Sequence, residues 1–101
     1  MVRYKTRPGV ILTSICEEYV LVAAKSLLPS CPYVTEINET SAFLWKNLVS
    51  GATLAQLEAA VTDAYEVDDL SQVREAISGF VQQMMELNYL LSEEQGGNYE
   101  A

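Results

Sequence analysis

The sequence predicts an α+β fold in which a three-stranded antiparallel sheet is followed by three helices (βββααα). Three observations predict it. The first third alternates short β-branched runs with turn residues, the hydrophobic period changes from 2 to 3.6 at Asn38, and helix-start signals stand at Asn38, Thr53 and Asp69. A chain of 101 residues, half hydrophobic and a fifth charged, has the size and balance of one folded domain.

Val10-Ile11-Leu12-Thr13 and Tyr19-Val20-Leu21-Val22-Ala23 read as the first two strands. Residues 14–18 between them have hairpin-loop length but lack the Asn-Gly pair of the tightest turns. A loop punctuated by Pro29 and Pro32 leads to the third strand, Tyr33-Val34-Thr35-Glu36-Ile37. Alternation puts Tyr33, Thr35 and Ile37 on one face and Val34 and Glu36 on the other.

Asn38 is a good N-cap, and Glu39 places a carboxylate in the first helical turn, where the macrodipole favours it. Ser41, Leu44 or Trp45, and Leu48 then recur at helical spacing, with Gly51 as the stop. Thr53-Leu54-Ala55-Gln56 is a capping-box pattern opening a second helix, striped by Leu54, Leu57, Val61 and Ala64 and ending near Tyr65. Asp69-Leu70-Ser71-Gln72 opens a third, whose stripe is Val73, Ile77, Phe80/Val81, Met84 and Leu87. Asn88 can end it in the left-handed conformation, after which Tyr89-Leu90-Leu91 packs back. Helices two and three around the acidic turn Glu66-Val67-Asp68 make the whole winged helix-turn-helix-like. The domain is expected at 8–91, between a flexible basic arm at 1–7 and a flexible acidic tail at 92–101.

Composition narrows the function. The chain contains no histidine, which removes the usual nucleophile–base pairs and His–metal sites. Cys16 and Cys31 are too few for a disulfide framework or a four-thiolate zinc site. They lie at opposite ends of the second strand, roughly 16 Å apart at ~3.3 Å per residue, beyond the reach of a disulfide. Asp68-Asp69 sits at a helix start and reads as capping, Glu17-Glu18 and Glu93-Glu94 as solvated charge, and Trp45 as a core anchor. The reading is of a non-enzyme without cofactor or metal site. No apolar run approaches the ~20 residues of a membrane span, and the N-terminus lacks a signal-peptide core, so a cytoplasmic location is expected.

The series Ile37-Asn38, Ser41-Ala42, Leu44-Trp45, Gly51, Thr53, Leu57, Tyr65, Asp68, Val73, Phe80 and Leu90-Leu91 resembles the PqqD-like family. Its members are peptide chaperones of pyrroloquinoline quinone biosynthesis and related precursor-peptide recognition elements. The resemblance covers positions 8–91. One departure is Asn88-Tyr89, where a glycine is common before the final Leu pair. The resemblance implies a non-catalytic protein that captures the leader of a ribosomally made precursor peptide and presents it to a modifying enzyme, often a radical S-adenosylmethionine (SAM) protein. The leader would dock as an added strand on the third strand, in a groove against the last helix. On this chain the edge would be Tyr33, Val34, Thr35, Glu36 and Ile37, and the helix wall Val73, Arg74, Ile77, Ser78 and Val81. Arg74, the only cation after Lys46, could hold a leader carboxylate. If the N–H of Thr35 faces the open edge, Thr35→Pro would abolish docking.

Two other functions compete. A winged helix can read DNA, but the chain carries a net charge of −8 and its third helix has Arg74 against Asp69, Glu75 and Glu86, which phosphates would repel. Half of the six cations, Arg3, Lys5 and Arg7, stand in the arm, read as a solubilising terminus. A homodimeric scaffold, paired through an exposed strand edge, is compatible with either reading.

Overall fold

The computed structural model describes residues 2–94. In chain order it comprises β1 (Val2–Thr6), β2 (Val10–Ile15), β3 (Glu18–Ala23), β4 (Val34–Ile37), α1 (Glu39–Leu48), α2 (Leu54–Ala64), α3 (Leu70–Glu86) and β5 (Leu90–Glu94). The central sheet is antiparallel in the order β2-β3-β4, and three helices follow it, as the sequence predicts.

Local chemistry explains most boundaries. Ile15 stands opposite Glu18, so the β2–β3 turn is only Cys16-Glu17, both left-handed with φ of 52° and 67°. That is the two-residue hairpin whose twist matches the strands, formed here without glycine. It is tighter than the expected 14–18 loop because both strands run on to its edge. The Asn38 side chain accepts the Ser41 N–H at 2.7 Å. Thr53 and Gln56 form the full capping box at 3.1 and 2.9 Å, and the Asp69 carboxylate accepts the Ser71 N–H at 3.0 Å. At the end of α3 the Tyr89 N–H donates to the Met84 carbonyl at 2.9 Å and the Asn88 N–H to Met85 at 3.1 Å. With Asn88 at φ 64°, this is a Schellman closure with Asn in glycine's place.

One core joins sheet and helices. Leu21, Leu44, Leu48, Leu57, Met84 and Tyr89 are fully buried, each apolar side chain contributing about 1.5–3 kcal/mol. Trp45 is buried as expected and meets Tyr89 edge to face, ring centroids 6.3 Å apart.

The two termini depart from expectation. Instead of a flexible arm, residues 2–6 form β1, which pairs antiparallel with β5 from Val2↔Glu94 to Thr6↔Leu90. Tyr4 also exchanges two backbone hydrogen bonds with Ala52 at 2.8 Å. The cause is the alternation of Val2, Tyr4 and Thr6 with Arg3 and Lys5, which gives the strand an apolar side; Thr6 is buried and Tyr4 packs against the core. Two of the three cations are used within the fold. Arg3 donates to the Ser50 carbonyl at 2.8 Å, where the end of α1 favours positive charge, and Arg7 Nε donates to the Asn88 carbonyl at 2.6 Å. Residues 92–94, expected in the tail, are strand; the rest of that expectation, at 95–101, lies outside the described residues. Cys16 is an exposed free thiol and Cys31 a buried one. Among the described residues no helix is long and apolar enough to cross a membrane.

Candidate functional site

β4 lies at the edge of the central sheet, and the ladder decides which of its amides are open. The Ala23 N–H donates to the Tyr33 carbonyl at 2.9 Å, which makes Ala23 and Tyr33 a hydrogen-bonded pair. Such pairs recur at every second residue of an antiparallel ladder. In the register Leu21↔Thr35 and Tyr19↔Ile37, Thr35 and Ile37 therefore turn their N–H and C=O groups toward β3. Val34 and Glu36 turn theirs outward. The condition attached to Thr35 thus fails: its N–H belongs to the sheet, and a strand-adding ligand would meet Val34 and Glu36.

The side chains of β4 divide as the alternation predicts. Thr35 and Ile37 are partly buried, Val34 and Glu36 exposed, and Tyr33, just ahead of the strand, is 56% exposed. The Tyr89 hydroxyl lies 2.8 Å from the Pro32 carbonyl and 2.7 Å from Thr35 Oγ1. Its one proton goes to the carbonyl, so Thr35 donates to Tyr89. Thr35 is thereby a pin between β4 and the end of α3. Burial pushes the Tyr89 hydroxyl above its ordinary pKa, against the opposing pull of the Thr35 hydrogen bond.

Beyond the far end of β4, across the Asn38 cap, α1 and the N-terminal half of α3 enclose an open cavity of about 380 Å³. Leu44, Val61, Val67, Val73 and Ile77 contribute apolar walls, while Thr40 brings the cavity within one helical turn of β4. Glu66, Asp68 and Asp69 supply an acidic lip. Hydrogen bonds from Ser71 hold the Asp69 carboxyl below its usual range, in keeping with its capping role. A second recess, at the Glu36 end of the strand, gathers Glu17, Glu18, Glu36 and Glu39. A hydrogen bond with Glu36, and then its negative charge, raises the pKa of Glu18.

The helix residues named from sequence do not converge on one wall. Val73 lines the cavity beside Gln72 and Ala76. Ile77, which also reaches the cavity, and Val81 are core, with 3% and 4% exposure. Arg74 and Ser78 face the other way: Arg74 Nε bonds Glu58 of α2 at 2.9 Å, and both residues flank a recess with Leu54. That ion pair raises the Arg74 pKa, through the hydrogen bond first and the charge second. Thr40, Leu44, Val61, Val67 and Ala76 were missing from the predicted site. A signal existed for the turn: Tyr65 and Val67 are apolar positions between two helices, and Tyr65 meets Phe43 edge to face at 5.2 Å.

These features define a winged-helix domain with an open strand edge at β4 and, between α1 and α3, an apolar cavity with an acidic lip. The sequence matches the family described as Coenzyme PQQ synthesis protein D (PqqD) over residues 18–90, and the chain belongs to that family. The match runs from β3 through α3, while β1 and β2 lie outside it. Among solved structures, the fold is similar to that of "TbiB1 in Complex with the TbiA(beta) Leader Peptide", with 18% identity, a TM-score of 0.67, and coverage of 94% of this chain and 99% of that one. It is also similar to "Lasso peptide synthetase B1 complexed with the leader peptide", with 22% identity, a TM-score of 0.67, and coverage of 87% and 96%. A comparison with curated proteins finds no match.

Proposed function

We propose that the chain is a non-catalytic recognition element that captures the leader of a ribosomally made precursor peptide by strand addition to β4. It then presents that peptide to a modifying enzyme; a radical SAM protein is the class that family resemblance favours. The observation that carries the reading is the phase of the ladder, which leaves the amides of Val34 and Glu36 open at the edge of the sheet. An extended peptide gains affinity from such backbone groups and selectivity from pockets for alternate side chains. The two similar structures, each solved with a leader peptide, support the same use of the fold. The proposed contact set is the β4 edge from Tyr33 to Ile37 with Val73 and the cavity walls. Arg74 and Ser78 stand toward α2 and have no part in it.

The test is a titration with a synthetic leader from a neighbouring precursor gene, followed by amide NMR. The expected result is protection of the Val34 and Glu36 amides from exchange and shifts at Val73 and Ala76. Glu36→Pro, which removes an outward N–H at an edge where proline is tolerated, should keep the fold and abolish binding. Thr35→Pro removes a ladder hydrogen bond and should disrupt the sheet itself. Unchanged leader affinity in a folded Glu36→Pro variant would sink the docking model.

A further inference from the structure

The phase of the β4 ladder fixes side chains as well as amides. Val34 and Glu36 turn their N–H and C=O groups outward. In an antiparallel ladder such residues bond the residues directly opposite them, whose side chains stand on the same face of the sheet. One face of the central sheet is core: Val10, Leu21 and Ala23 belong to it, and Leu12 and Ile37 pack against it. Alternation puts Ile11, Val22 and Val34 on the other face. The register sets these three in one row across the strands, Ile11↔Val22 and Val22↔Val34. Ile11 is 60% and Val34 51% exposed, so the row is an open apolar strip that stops at the edge of β4. The next row on that face runs Thr13, Val20, Glu36 and reaches the same edge with a carboxylate. Glu18, two residues before Val20, stands within hydrogen-bonding reach of Glu36, and two carboxylates side by side repel each other. Among the described residues the one ion pair is Arg74 with Glu58, so no cation offsets that repulsion.

A strand added to β4 stands fourth in both rows. We propose that the leader strand carries an apolar residue opposite Val34 and a lysine or arginine opposite Glu36. The apolar residue continues the strip of Ile11, Val22 and Val34, as same-face neighbours in a sheet do. The cation is shared by Glu36 and Glu18 and offsets their repulsion. Every pair in this sheet is antiparallel. Added in the same sense, the leader meets Glu36 first, so its basic residue precedes the apolar one by two positions. The substrate class is a leader with a basic-x-apolar step; an acidic residue at the first position is repelled by both glutamates. This pattern rests on the leader reading and adds to it the side chains that the strand must present.

The probe is the synthetic leader from a neighbouring precursor gene, bound to the full chain. Intermolecular nuclear Overhauser contacts at Val34 and Glu36 identify the leader residues opposite them. The expected result is Lys or Arg opposite Glu36 and an apolar residue, two positions later in the leader, opposite Val34. Glu36→Lys should weaken binding roughly fivefold, and a leader with glutamate in place of its basic residue should restore the affinity in that variant. Glu75→Lys makes the same change in net charge at an exposed position of α3 and should move the affinity by less than about twofold. A leader that protects the Val34 and Glu36 amides yet presents other residue types opposite them overturns the pattern and leaves strand addition standing. An affinity indifferent to Glu36→Lys does the same. A leader that leaves those two amides unprotected overturns both.

Discussion

Tyr89 joins more of this molecule than any residue of the predicted site. Its ring is buried against Trp45, its N–H closes α3, and its hydroxyl ties Pro32 and Thr35 to that helix. Tyr89→Phe would leave a carbonyl and a hydroxyl without their partner at a cost of about 1–3 kcal/mol, read as a lower denaturation midpoint. The same hydroxyl makes stability sensitive to alkali. Its folded-state pKa lies above the ordinary 10.0, so above that pH the unfolded chain releases a proton that the native state retains. Stability then falls as pH rises. A pH series of urea melts should show a steeper loss above pH 10 in the wild type than in Tyr89→Phe. An identical slope in both proteins would assign the alkaline loss to other groups.

Among the elements, the β2–β3 hairpin is where residue choice and backbone disagree. Cys16 and Glu17 both hold left-handed φ values, a conformation that Asn and Gly adopt at lower cost. Cys16→Asn with Glu17→Gly should stabilise the fold by about 1 kcal/mol, a rise in Tm of roughly 4–8 °C for a domain of this size, with no change in leader affinity. A fall in Tm would mean that the Glu17 side chain has a role the turn geometry does not reveal. The other elements agree with their residues. The caps at Asn38, Thr53 and Asp69 and the stops at Gly51 and Asn88 were all legible, because each depends on chemistry within a few residues. The β1–β5 ribbon was missed although its alternation is plain in Val2–Thr6, because Arg3 and Lys5 read as a solvated arm. Its partner strand lies more than eighty residues away.

At the scale of the whole molecule, charge separates this winged helix from those that read DNA. The chain is strongly acidic, and the cation on α3 is engaged with Glu58, so no face of that helix offers the basic stripe a phosphate backbone requires. The expected outcome of a mobility-shift assay with duplex DNA at physiological salt is no shift at micromolar protein. A salt-dependent shift would reinstate nucleic acid as a partner.

For the central sheet and the three helices, residue order was sufficient for the kinds of element, their succession, the positions of the helix ends and the burial of most of the α3 stripe. All of these follow from contacts between neighbours two to four residues apart. Tertiary structure alone decided which amides of β4 are open, since that rests on one hydrogen bond between Ala23 and Tyr33. It also decided which edge of α3 can serve a ligand, because helical spacing gives the stripe but not the rotation that sets Arg74 against α2 and Val73 toward the cavity. Ladder phase and helix rotation are properties of long-range pairing, and no local pattern carries them.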